Sequence, residues 1–191
     1  AGPYTITVRD ANNCTTTVPV TIAQPAAALS LSISSQTNVA CTGGATGSVT
    51  MSASGGTAPY QYNIDGGLFQ ASATFNGLLA GVHTVIVQDA NGCTANMPVN
   101  ITQPLSALSG SIISQTNIDC HGGNNGSVTV AGSGGTPVYQ YSINAGPYQA
   151  LGTFNGLTTG IYTVTIQDAN LCTYNIIVNI NAAGCNTNPA T

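Results

Sequence analysis

The sequence predicts an all-β protein, and three observations carry that prediction. Val, Ile, Thr and Tyr alternate with polar residues along most of the chain, the period-2 pattern of half-buried strands. Clusters of Gly, Asn, Asp, Ser and Pro break those runs at short intervals, as turns do. Good helix formers are scarce, and Glu and Lys are absent from all 191 positions. A positive mean hydropathy argues against disorder despite the Gly, Ser and Asn content.

Self-comparison sets the organisation. Cys14, Cys93 and Cys172 stand 79 residues apart; Asp10, Asp89 and Asp168 keep the same offset, as do Pro25 with Pro104 and Phe75 with Phe154. Gln36–Pro104 aligns with Gln115–Ala183 without a gap, and 39 of 69 positions are identical. Two full modules follow, 26–104 and 105–183. Residues 1–25 match only the last third of a module, its closing hairpin, and 184–191 leaves the pattern as a tail or the start of a further module.

The elements of the second module can be read in order. Leu108–Gln115 is the first strand, followed by a Cys-bearing Gly-Gly loop. Ser127–Ala131 turns Val128 and Val130 inward, and Ser133-Gly134-Gly135-Thr136 reverses the chain. Tyr139, Tyr141 and Ile143 share one face of the next strand, as Tyr60 and Tyr62 do in the first module. A hairpin at Ala145-Gly146-Pro147 leads to a short strand around Phe154, ended by Asn155-Gly156. Ile161–Gln167 and Cys172–Ile180 form the last hairpin, turning at Asp168-Ala169-Asn170. About seven short strands per module is the size and spacing of an immunoglobulin-like sandwich. Leu157-Thr158-Thr159-Gly160-Ile161-Tyr162 has the form of a tyrosine corner; His83 replaces that Tyr in the first module.

Several strings carry a family resemblance: Gly126-Ser127-Val128-Thr129-Val130, Ser133-Gly134-Gly135-Thr136, Gly156-Leu157 with Gly160-Ile161-Tyr162-Thr163-Val164, and Asp89-Ala90-Asn91-Gly92-Cys93-Thr94. In this order and spacing they resemble the SprB-type repeat of Bacteroidota gliding and cell-surface adhesins. The resemblance extends over nearly the whole chain, including Ile101-Thr102-Gln103-Pro104. It departs at Leu171, where the family has Gly, and from Asn181 onward. It implies an exported, extracellular, fibre-forming role and transfers no catalytic residue.

Six cysteines constrain the covalent framework. The simplest pairing lies within modules, Cys41 with Cys93 and Cys120 with Cys172, each spanning 52 residues. On the chain-entropy account such a loop stabilises by roughly 4 kcal/mol, and disulfides of this kind imply an oxidising compartment. Metal binding is the weaker reading, because there is no Cys-x-x-Cys and the sole neighbouring ligand is His121. Cys14 and Cys185 remain as candidates for bonds between chains or modules. A lone hairpin of some 24 residues does not fold in water, so 1–25 needs strands from elsewhere. Either a longer polypeptide continues upstream or a second copy completes the sandwich head to tail, which would build a filament.

Composition removes other functions. With 3% charged residues against a usual share of about a quarter, and Arg9 as the one fixed cation, neither nucleic-acid binding nor a polybasic membrane patch is expected. No apolar run reaches the ~18 residues of a membrane span. No nucleophile–base set, phosphate loop or cofactor motif appears, so no enzyme activity and no cofactor is expected. Asp89-Ala90-Asn91 and Asp168-Ala169-Asn170 offer too few carboxylates for calcium and read as Asx turns, so no metal is assigned. Expected partners are further copies or modules of the same kind. A surface polysaccharide is the alternative, with Phe69 and Tyr148 the exposed aromatic candidates of a glycan-binding array. Asn13, Asn100 and Asn125 fit the N-glycosylation pattern.

Overall fold

A computed structural model describes residues 1–119 and 123–182. Every regular element in that range is a strand, in the order β1 (Gly2–Arg9), β2 (Thr15–Ile22), β3 (Ser30–Thr37), β4 (Gly47–Ser54), β5 (Gln61–Ile64), β6 (Thr74–Leu78), β7 (Gly81–Gln88), β8 (Thr94–Ile101), β9 (Ser109–Thr116), β10 (Gly126–Ser133), β11 (Gln140–Ile143), β12 (Thr153–Leu157), β13 (Gly160–Gln167) and β14 (Thr173–Ile180). The fold is therefore all-β, built as tandem immunoglobulin-like sandwiches. No helix among the described residues is long and apolar enough to cross a membrane.

Contact density divides the chain into two units. One comprises Ala1–Ser35, Val49–Phe75 and Val82–Val99; the other comprises Gln36–Ser48, Asn76–Gly81 and Asn100–Thr191. The second unit contains one whole sandwich. Its sheets have strand orders β12-β10-β9 and β11-β13-β14, all antiparallel. Six strands carry it, and what reads as a seventh in the sequence is reduced to a bridge between Tyr141 and Gln149. The Gly-Pro-Tyr turn between them leaves room for no more.

Alternation fills the space between the sheets. Val128 and Val130 of β10, Tyr141 of β11, Phe154 and Leu157 of β12, Val164 and Ile166 of β13, and Val178 and Ile180 of β14 form one buried cluster with Ile118. Tyr139 and Ile143 pack against it, so the shared-face reading of that strand holds. The residues 79 positions earlier are buried too, from Val49 and Met51 to Val99 and Ile101. Strands β3–β8 repeat the two sheets as β3-β4-β6 and β5-β7-β8.

The corner before β13 forms as its spacing predicts. Tyr162 Oη donates to the Thr158 carbonyl at 3.0 Å and accepts from Thr158 N–H at 3.1 Å. In the first module His83 turns elsewhere, placing Nδ1 2.6 Å from Asp65 Oδ2. Asp65 Oδ1 accepts Thr84 N–H at 2.8 Å, and Asn144 fills the same position opposite Thr163 N–H at 3.0 Å. The hydrogen bond with His83, followed by that from Thr84, holds the Asp65 carboxyl below its ordinary range.

Candidate functional site

The last hairpin of a module occurs three times, and its turn is built the same way each time. Asp10 Oδ1 accepts from Asn12 N–H at 2.9 Å and Cys14 N–H at 2.8 Å. Asp89 Oδ1 accepts from Asn91 and Cys93, and Asp168 Oδ1 from Asn170 and Cys172, all at 2.9 Å. These are the expected Asx turns. In the two full modules the second carboxylate oxygen reaches across to the Ser-Gly-Gly-Thr turn, accepting from Thr57 and Thr136 N–H, both at 2.9 Å. Glycine is required at Gly135 twice over, by a φ of +58° and because a Cβ would run into the Asp168 carboxylate. Burial pushes the Asp89 carboxyl up, but donors from Thr57, Cys93 and Asn91 outweigh it and leave the group below its usual range. Among the described residues, no three His, Cys, Asp or Glu gather as a metal site would require.

The cysteine beside this turn is where the covalent framework departs from expectation. Cys41 is bonded to Cys172, 131 residues away, and Cys93 is an exposed free thiol. Cys120 lies outside the described residues, so its expected bond to Cys172 is replaced and its own partner is not seen. The reason is how the loop after β3 is held. Its neck is tied by Ala40 N–H donating to Thr46 Oγ1 at 2.9 Å, and Gly44 N–H closes a tight turn onto the Cys41 carbonyl at 2.9 Å. Gly43 N–H then donates to Gln103 Oε1 at 2.8 Å, and Thr42 Oγ1 donates to the Pro104 carbonyl at 3.3 Å. Asn170 Nδ2 donates to the Ala40 carbonyl at 3.0 Å. The loop is thus anchored on the Gln-Pro segment that leads into the next repeat and on that repeat's last hairpin. In the sequence Gln-Pro recurs at 24–25 and 103–104, but nothing there marks it as the anchor of a loop.

Around Cys172 the socket is walled by Pro104, Ala107, Leu108 and Gly135, with Cys41 and Thr42 seated in it, and about 150 Å³ remains open. Around Cys93 the matching walls are Gln24, Pro25, Ala28, Leu29 and Gly56, and the crevice measures about 440 Å³.

The first hairpin differs from the other two in burial. β1 pairs with β2 in a continuous antiparallel register from Gly2↔Ile22 to Arg9↔Thr15. Its apolar residues face solvent: Ile6 is 53% exposed, Val8 56% and Ile22 54%. At the same repeat positions Val85, Val87 and Ile101, and again Val164, Ile166 and Ile180, are buried. Cys14, in the turn, is an exposed free thiol; Cys185 lies outside the described residues.

Of the remaining expected residues, Asn13 lies in the Asp10 turn beside Cys14 and the others sit apart from it. Phe69 and Tyr148 occupy equivalent turns and are 39% and 42% exposed. Asn13, Asn100 and Asn125 are exposed, and Asn125 donates to Asp119 Oδ2 at 2.9 Å.

The SprB repeat family matches residues 33–69 and 112–147, the front part of each module. No curated protein matches the chain. Solved structures resembling it include three N-terminal domains of the bacteriophage RB49 highly immunogenic outer capsid protein Hoc, at 16% identity and TM-score 0.45, covering 81% of this chain and 59% of that one. The eight N-terminal immunoglobulin domains of Down Syndrome Cell Adhesion Molecule resemble it at 14% identity and TM-score 0.35, covering 96% and 28%. Domains 4–9 of surface layer protein SbsC do so at 16% and 0.30, covering 85% and 31%. The chain spans less than two thirds of each. The two matched segments lie in register on the same repeat, so each module of the chain carries a segment similar to the SprB repeat.

Proposed function

We propose that this chain is a structural and adhesive segment of an exported bacterial cell-surface fibre, assembling through the uncovered face of hairpin β1–β2. One observation carries the reading: Ile6, Val8 and Ile22 stand in solvent, while residues at the same repeat positions are core elsewhere. Burying side chains of this size stabilises by about 1.5–3 kcal/mol each, and a contiguous exposed stripe of them belongs to an interaction surface. The matching cover is an apolar face like the one that β10 and β12 present to β13 and β14. Supplied from a second copy, that contact is heterologous and does not close on itself, so it propagates as a filament. The near absence of charge leaves little repulsion between copies and makes association weakly dependent on salt. Catalysis has no part in this reading.

Sedimentation of the full chain over a concentration series tests it. Association should rise with concentration, persist in high salt and vanish in an Ile6→Asp/Val8→Asp variant. A chain that stays monomeric throughout sinks the proposal. A second reading, recognition of a surface polysaccharide, is favoured by the exposure of Phe69 and Tyr148 at equivalent places in both modules. Replacing both with Ala should then abolish retention on immobilised polysaccharide while leaving sedimentation unchanged.

A further inference from the structure

The disulfide joins the first sandwich strand of one module to the last strand of the next. Cys41 follows β3 and Cys172 precedes β14, so strands β4 to β13 and the Gln103-Pro104 junction lie inside one covalent loop, its ends 131 residues apart. We propose that this bridge is a load shunt. Tension that enters the chain before Cys41 and leaves it after Cys172 runs through the S–S bond, and the loop between them carries none of it.

Connectivity alone fixes the path. Before the bridge it holds β1, β2 and β3; after the bridge it holds β14. A force extends only the segments whose ends it separates, and it does work in proportion to the length gained. A strand already rises about 3.3 Å per residue, close to the ~3.6 Å limit of a stretched chain. Pulling β3 or β14, eight residues each, from both ends therefore gains about 2 Å. Over so short a distance tension does little work against their pairing with β4 and β13. The loop is the opposite case, because its strands double back on one another. Stretched out it would span about 450 Å, all of it withheld while the bridge holds.

A bond within the module would act differently. Cys41 joined to Cys93 would span 52 residues and leave β8, the Gln103-Pro104 junction and β9 under tension. The observed bridge takes the junction off the path. There Gln103 Oε1 and the Pro104 carbonyl hold the Cys41 loop instead, accepting from Gly43 N–H at 2.8 Å and Thr42 Oγ1 at 3.3 Å. Asn170 Nδ2 holds it too, donating to the Ala40 carbonyl at 3.0 Å. All three anchors belong to the bypassed loop, so they position the bridge in a chain at rest and are not in series with it under tension. Cys172 is buried and walled by Pro104, Ala107, Leu108 and Gly135, which keeps exchanging thiols away from the sulfur on the path.

This inference rests on the fibre reading above for its use, since a fibre is what puts the chain under tension, but its test needs no assembly. The full-length chain is held by its two ends in a force clamp, stretched under oxidising conditions, and then exposed to dithiothreitol. Extension should stop at about 210 Å, the reach of residues 1–41 and 172–191. Dithiothreitol closes to its ring disulfide, leaves Cys41 and Cys172 as thiols, and should release a further length of about 450 Å. In Cys41→Ser/Cys172→Ser that release should disappear. Extension of the parent to about 670 Å before reductant overturns the inference. So does a release made only of steps of about 180 Å, the length that 52-residue loops would give. If the release appears while sedimentation shows no association, the shunt stands and the assembly reading falls. Association without the release removes the shunt and leaves assembly.

Discussion

The hairpins β1–β2 and β13–β14 occupy the same place in the repeat and have opposite environments. Both turn on an aspartate that accepts two backbone N–H groups, both carry a cysteine four residues after it, and both end on an isoleucine. In the third copy that isoleucine, Ile180, is 1% exposed and the cysteine is cross-linked; in the first, Ile22 is 54% exposed and Cys14 is a free thiol. Turn chemistry and pairing register are therefore properties of the local sequence, while burial and oxidation state depend on what is brought against the hairpin.

The comparison can be broken most forcefully at the cysteines. Cys172→Ser removes a bridge spanning 131 residues, and on the chain-entropy account it should cost about 5 kcal/mol. Cys14→Ser should leave the urea unfolding of the monomer unmoved. Equal losses would mean that Cys14 has a partner in the monomer.

Next come the isoleucines. Ile180→Ala should cost about 3 kcal/mol by emptying a packed site, whereas Ile22→Ala should lie within about 0.5 kcal/mol of the parent. Equilibrium unfolding under conditions where the chain is monomeric reads both.

The middle copy allows a finer comparison. Asn63 on β5 is buried and its Oδ1 has no hydrogen-bond partner, while Ser142 at the same position on β11 donates to the Gly146 carbonyl at 2.8 Å. Asn63→Ser should therefore stabilise the first module by about 1 kcal/mol, visible as a raised unfolding midpoint. A lowered midpoint would show that the amide is satisfied in solution.

The smallest effect is electrostatic. Asp65 has a lowered folded-state pKa, so it contributes stability above the ordinary carboxylate range and loses it as the pH falls through the folded value. Asn144, in the same place, cannot titrate. Thermal unfolding of Asp65→Asn should fall below the parent at neutral pH, with the gap closing on acidification below about pH 4. A gap independent of pH would remove the charge from the explanation.

Much of this fold was legible because its determinants are local. Alternation identifies Val128, Val130, Val164 and Ile166 as core, Asp-Ala-Asn specifies its own turn, and Leu157 to Tyr162 specify the corner. The disulfide was not legible, since a repeat gives Cys41 two equivalent hairpin cysteines, Cys93 and Cys172. Distance along the chain favours the nearer. What decides is a neutral hydrogen-bond set from Thr42 and Gly43 to Gln103 and Pro104, which has no signature in spacing or charge. The same holds for His83: its departure from the Tyr corner was visible, but its partner Asp65, 18 residues earlier, was not. That residues 1–25 repeat only the last third of a module can be read from the repeat alone, although the exposure of Ile6, Val8 and Ile22 needed coordinates.

Amide hydrogen exchange along β1 as a function of chain concentration tests the central claim most directly. If the face of Ile6 and Val8 is an assembly surface, protection of β1 should climb with concentration toward that of β7, whose equivalent Val85 and Val87 are buried, and should stay low in Ile6→Asp/Val8→Asp. Exchange in β1 that remains fast at every concentration would contradict the account.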